Sequence, residues 1–144
     1  MSSIPEHGPS VALPSFIYWK LPTESNTTCM VRLLLHNNKN AWIECGLFDY
    51  CLSEMGDEKH LYEALSYVWG SDIKSQSITL DGCDFPVTEN LHTVLLYLWN
   101  RQLERTLWVD VISIDQGNQD EKARQIPFMW AIYAQAAHVI VWLG

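Results

Sequence analysis

Leu107–Ile114 reads LWVDVISI and Val139–Leu143 reads VIVWL. Both are near-continuous apolar runs rich in β-branched and aromatic residues, the pattern of strands buried on both faces of a parallel sheet. Such strands need helices over both faces, and the neighbouring sequence supplies them. Upstream, Leu91, Val94, Leu95 and Leu98 fall at i, i+3, i+4 and i+7, one stripe of an amphipathic helix, with Thr88 placed to cap it and Glu89 in its first turn. Between the two runs, residues Glu121–Ala137 are expected to be helical, with Ile126, Met129, Ile132, Tyr133 and Ala136 facing inward. Pro127 lies inside that segment and would cost a helix interior about 3 kcal/mol, so the helix either kinks at this point or begins there.

Further towards the N-terminus, YEALSYVWG (Tyr62–Gly70) reads as a compact strand ending on a glycine. SITLDGCDFPV (Ser77–Val87) reads as a hairpin, because Asp81-Gly82 tolerates the positive φ of a tight turn. A second hairpin is expected from MVRLLL (Met30–Leu35) and AWIECGLF (Ala41–Phe48), turning through His36–Asn40. Residues 1–28 carry Pro5, Pro9, Pro14 and Pro22 among Ser, Thr and Gly and read as a flexible N-terminal arm, with Phe16–Trp19 available to dock on a surface. From Tyr62 onward strands alternate with helices. The expected class is therefore α/β: a partly parallel sheet flanked by helices, with N-terminal and inserted β-hairpins, over residues 29–144. A parallel sheet that stops on a strand leaves one face short of a helix, so residues 29–144 are expected to be the N-terminal portion of a longer domain.

The chain has 144 residues, enough for one domain. With 48% hydrophobic and 18% charged residues it is expected to fold around a core rather than remain solvated. Nine Lys and Arg against 17 Asp and Glu give a net charge of −8, the wrong sign for a chain held by nucleic-acid phosphates or anionic lipid. Neither partner is expected. The start, MSSIPEHGPSVALPSF, has neither a basic n-region nor a continuous apolar h-region, and no apolar run is long enough to span a bilayer. Cys29, Cys45, Cys51 and Cys83 form no C-x-x-C pair and no regular spacing with the five histidines, so no metal site is expected and reduced thiols in a cytoplasmic protein are the default.

In open α/β sheets, ligands bind beyond the carboxyl ends of the strands. That rule selects Ser66–Gly70, Asp110–Gln116 and Trp142–Gly144, three segments that can share one crevice. Asp110 is the informative residue, since an acid within LWVDVISI must be hydrogen-bonded, paired or open to a cleft to avoid a desolvation cost of several kcal/mol. It is either an acceptor for loop backbone N–H groups or a catalytic acid. Asp115 and Gln116 follow in a turn, Gly70 permits a close approach of backbone, and Trp69 is either packing or ligand-facing. No triad, metal pair or phosphate-binding glycine loop is present among the motifs.

ALSYVWG (Ala64–Gly70), VTENL (Val87–Leu91), LWVDVISIDQ (Leu107–Gln116), the Glu121–Gln125 segment with Met129 and Ile132-Tyr133, and VIVWLG (Val139–Gly144) together resemble the ordered motif series of the fungal heterokaryon-incompatibility (HET) domain. VRLLL (Val31–Leu35) and Ile43-Glu44-Cys45 resemble the hairpin that commonly precedes that core. The resemblance implies a protein of fungal non-self recognition and programmed cell death, with a sheet similar to the flavodoxin-like sheet of Toll/interleukin receptor (TIR) domains. By the same analogy it implies NAD as a possible substrate, no other cofactor, and a crevice in which Ser66, Trp69, Gly70, Asp110, Asp115 and Gln116 contact the nucleotide. It further implies protein partners, through self-association or a sensor protein of the incompatibility system. The chain departs from the family pattern at Ser113-Ile114-Asp115-Gln116, where Cys-Ile-Asn-Gln is usual, and at Lys122, where Arg is usual. The glutamate of TIR-type NAD cleavage lies on a helix after the third strand, so no catalytic residue is assigned. Two alternatives stand beside the enzymatic one: a non-enzymatic interaction module, and an inactive truncated fragment.

Overall fold

A computed structural model describes residues 13–19, 21, 26–35, 42–52, 60–68, 70–99 and 103–143. Seven strands form one mixed sheet: β1 (Thr27–Leu33), β2 (Glu44–Cys51), β3 (His60–Tyr67), β4 (Gln76–Leu80), β5 (Cys83–Val87), β6 (Arg105–Trp108) and β7 (Ala136–Trp142), in the order β5-β4-β2-β1-β6-β3-β7. Helix α1 (Glu89–Leu98) leads to β6, and α2 (Asp110–Ser113), α3 (Gln119–Gln125) and α4 (Met129–Gln135) lead to β7. The expected α/β class is thus observed. Both hairpins form, β1 with β2 and β4 with β5, and both are built into the main sheet, because β1 pairs antiparallel with β6 and β2 pairs parallel with β4. Asp81 and Gly82, with φ of 50° and 76°, make the β4–β5 turn. The His36–Asn40 turn, residues 1–12, 20 and 22–25 of the expected arm, and Gly144 lie outside the described residues.

β3 is the pivot of the parallel part. It pairs parallel with β6 on one side, Glu63 opposite Leu107, and with β7 on the other, Leu65 opposite Ile140. Because side chains alternate along a strand, Leu65 and Leu107 join one core layer while Ala64 and Trp108 join the other. The first layer receives Leu91, Val94, Leu95 and Leu98 of α1, the stripe the sequence predicts. At about 1.5–3 kcal/mol for each fully buried aliphatic side chain, this stripe holds α1 in place. Thr88 caps the helix, its Oγ1 accepting the Leu91 N–H at 3.3 Å. The second layer receives Ile132 and Ala136, with Met129 and Tyr133 packed against it. Trp108, fully buried, donates its indole N–H to Thr28 Oγ1 at 3.1 Å.

Two expectations are corrected. LWVDVISI is not one strand: β6 stops at Trp108 and Asp110 opens α2. Side chains cause the break, since Asp110 Oδ1 accepts the Val111 N–H at 2.8 Å and Ser113 Oγ accepts the Val109 N–H at 3.1 Å, taking donors a strand ladder would use. Nor is Glu121–Ala137 one helix. It is divided by a 3₁₀ turn at Ile126–Phe128 around Pro127, and Ala136 already belongs to β7. The missing N–H of Pro127 suits the start of a helical turn, which is where it sits.

Candidate functional site

A cavity of about 200 Å³ opens at the carboxyl ends of β3 and β6. Tyr67 closes β3 and faces it, Phe85, Pro86 and Val87 of β5 form one wall, and Thr88 and Leu91 come from the start of α1. Val111 of α2 and Gln116 form a second wall, while Asp72 and Lys74 stand at the exposed loop before β4. The lining is mostly apolar, with Thr88, Gln116 and the Asp72–Lys74 pair of charges supplying the polar groups.

The loop after β6 is held by its own side chains. Gln116 Nε2 donates to the carbonyls of Asp110 at 3.1 Å and Ile114 at 3.3 Å, closing the loop on itself. Asp115 Oδ1 accepts the Gly117 N–H at 3.1 Å, and the Asp115 N–H is taken by Glu121 Oε2 at 2.8 Å. Glu121, buried at the start of α3, has its own N–H bound to Asn118 Oδ1. Burial raises the Glu121 carboxyl above its usual range, against the hydrogen bond from Asp115, and the nearby Asp115 charge adds to the rise. Burial likewise raises Asp110, opposed by the backbone N–H groups it accepts and by the Lys122 charge. Of the two roles open to Asp110, acceptor for loop N–H groups is the one its hydrogen bonds display. Burial, reinforced by the Asp110 charge, pushes the Tyr67 and Tyr133 phenols up, so both stay protonated and able to donate at neutral pH.

The structure brings together Asp110, Asp115 and Gln116, and of these Gln116 lines the cavity. Ser66 is exposed on β3 opposite Val141 and is not among the lining residues; the residue after it, Tyr67, is. Gly70 adopts φ +63°, and the Asn90 amide occupies the place a Cβ would take. Its part is to turn the chain from β3 into the Asp72–Lys74 loop. Trp69 lies outside the described residues. Sequence reasoning selected the segments that contain Tyr67 and Val111 without singling out either, and it missed Asp72, Lys74 and Phe85. The period-2 alternation of β3 was the available signal for Tyr67, but no local pattern reports that the β4–β5 hairpin folds back to wall the cleft. Among the described residues no three His, Cys, Asp or Glu side chains gather to hold a metal ion, and no helix is long and apolar enough to cross a membrane.

A mixed α/β sheet with a cavity at the carboxyl end of its parallel strands and this motif order defines the class: the chain belongs to the heterokaryon incompatibility family, whose pattern, described as Heterokaryon incompatibility protein (HET), matches residues 62–144. The matched region runs from β3 through β7 and so contains every residue that lines the cavity. The chain is similar to the Heterokaryon incompatibility protein 6, OR allele, of Neurospora crassa, with 41% identity over 96 residues. That match covers 58% of this chain and 14% of the relative, so the chain spans only a small part of the length of the curated protein it resembles. No solved structure matches the chain.

Proposed function

We propose that this chain is the nucleotide-binding part of a protein of fungal non-self recognition and programmed cell death, and that NAD binds at the cavity between β5, α1 and α2 as ligand or substrate. The observation that carries the reading is the position of the cavity, at the carboxyl end of β3, whose parallel neighbours β6 and β7 lie on opposite sides. Ligands of open α/β sheets bind where crossovers part in this way. The β6-β3-β7 order also supports the TIR-like, flavodoxin-like reading of the parallel part. At about 200 Å³ the cavity is smaller than the roughly 300–1,000 Å³ usual for a whole drug-sized ligand, so it takes one ring of a dinucleotide and not the entire molecule. Tyr67, Phe85 and Leu91 offer the ring apolar surface, Gln116 and Thr88 offer hydrogen bonds to its polar edge, Lys74 meets phosphate at the mouth, and Asp72 can accept from a ribose hydroxyl.

None of the lining residues is a histidine or cysteine, and none is assigned a catalytic step. The reading is therefore one of binding, and no lining residue is given a part in cleavage of the glycosidic bond. The test is NAD binding by calorimetry on the chain and on Lys74→Glu, with nicotinamide release assayed in parallel. Saturable binding weakened by Lys74→Glu supports the reading, and binding unaltered by it refutes this site.

A second reading rests on a different observation. β7 is the edge strand of the described sheet; Val139 and Val141 on it are 46% and 64% exposed, and Leu143 just beyond it is 81% exposed. An apolar edge of this kind favours an interaction module that pairs with another protein. Sedimentation at increasing concentration tests it, with Val141→Lys as the variant that abolishes any association.

A further inference from the structure

Residues 14–19 form no regular element beyond an isolated bridge, yet they touch both walls of the cavity. Pro14 C=O accepts the Asp84 N–H at 2.8 Å and Asp84 C=O accepts the Phe16 N–H at 3.1 Å, which ties the segment to β5. Phe16 and Tyr18 then pack edge-on against Phe85, with ring centroids 6.0 and 6.3 Å away. Phe85 is itself a lining residue, so these two rings back one wall. The Tyr18 hydroxyl donates to the Ile112 carbonyl at 2.8 Å, and Ile112 adjoins Val111, a lining residue of the other wall. Trp19 fastens the end of the segment, its indole N–H donating to Asp49 Oδ1 at 2.6 Å.

The Ile112 bond answers a need of α2. A four-residue helix leaves its last carbonyls without intrahelical donors, and side chains from outside the turn serve them. The Asp110 carbonyl already accepts the Ile114 N–H at 3.1 Å, with Gln116 as a second donor; Gln116 also serves Ile114 at the C-cap, and Tyr18 serves Ile112. Burial keeps the Tyr18 phenol protonated, so this donor is present throughout the physiological pH range.

We propose that Tyr18 is a positioning residue for the cavity: its hydroxyl fixes the α2 wall, its ring backs Phe85 of the β5 wall, and residues 14–19 act as a clasp that sets the separation of the two. The mechanical claim stands without any ligand; its consequence for affinity rests on the NAD reading above.

The test is hydrogen exchange on the full chain, comparing the wild type with Tyr18→Phe and with Phe16→Ala/Tyr18→Ala. Tyr18→Phe keeps the ring and loses one hydrogen bond, and amides of residues 110–117 are expected to exchange about fivefold faster while those of β3 and β7 do not change. The double variant is expected to release residues 83–88 as well. NAD affinity falls about fivefold with Tyr18→Phe. Unchanged exchange in both walls overturns the clasp, and so does acceleration spread equally through β3 and β7, which marks general destabilisation. Faster wall exchange with unaltered NAD affinity overturns the positioning role. Faster wall exchange in a chain that binds no NAD in any form supports the clasp and refutes the NAD reading instead.

Discussion

The Asn90 side chain stands where a Cβ on Gly70 would have to go. Its amide nitrogen donates to the Val68 carbonyl at 3.1 Å, and its Cγ lies 3.2 Å from the Cβ position of residue 70. With φ at +63°, Gly70 also holds a backbone conformation that L side chains adopt at a cost of about 1–2 kcal/mol. The first turn of α1 thereby fixes the exit of β3 that feeds the Asp72–Lys74 loop. Gly70→Ala is expected to destabilise the fold by at least that cost, with the overlap added. In Asn90→Ala the overlap is gone but the φ cost remains, so the double variant should be less destabilised than the sum of the singles. Urea denaturation of the four proteins of the cycle measures the coupling.

Asp110 makes stability depend on pH in a definite direction. Its pKa is raised in the folded state above the ordinary 3.8, so the folded chain binds more protons than the unfolded one just above that value. Stability contributed by this group is therefore lost as pH rises from about 3.8 through the raised value. Asp110→Asn removes the titration while retaining an acceptor for the Val111 N–H. The difference in unfolding free energy between the variant and the wild type should shift in favour of the variant as pH rises through that window, then level off. A difference that ran the other way would show that the Lys122 charge outweighs burial.

Thr88 serves two ends, capping α1 and lining the cavity. Thr88→Ala is expected to cost about 1 kcal/mol through the lost cap. Thr88→Ser keeps the cap oxygen and should restore most of it. Thermal and urea unfolding of both variants checks the pair.

Trp108 and Thr28 link β6 to β1 through a buried hydrogen bond. Trp108→Phe leaves the Thr28 hydroxyl short of a partner and a void beside Tyr133, whose ring meets the indole edge-on at 5.8 Å. About 2–4 kcal/mol of destabilisation is expected, read from the shift in urea midpoint.

Much of this molecule is local and was therefore readable. The α1 stripe, its Thr88 cap, the Asp81-Gly82 turn and the strand at Tyr62 depend on spacing of a few residues, and each is present as expected; the run at Val139 is a strand too, but at the sheet edge and exposed rather than buried on both faces. The end of β6 was not readable, because Val109–Ile114 has the composition of a strand, and only the capture of backbone N–H groups by Asp110 and Ser113 turns it into a helix. The candidate site divides in the same way. Of the residues singled out by the carboxyl-end rule, Gln116 lines the cavity while Asp110 and Asp115 only brace its loop, whereas Phe85 and Lys74 reach the cleft through the parallel pairing of β2 with β4, a contact between distant segments that leaves no periodic trace. Cys29 and Cys45 are a further case: both thiols are buried and pushed up in pKa, chiefly by burial, the latter to about 12, an inertness that spacing between cysteines cannot convey.

On the proposed reading the cavity at the end of β3 takes one ring of NAD, so filling that cavity should abolish binding. Val111 lines the cavity and is only partly buried, so Val111→Trp can occupy the space without rebuilding the core. Calorimetric titration of NAD into the wild type and this variant, each first shown folded by circular dichroism, is the measurement. Saturable binding to the wild type and a loss of at least tenfold in the variant are expected. Equal binding by both, or none by the folded wild type, would contradict the reading.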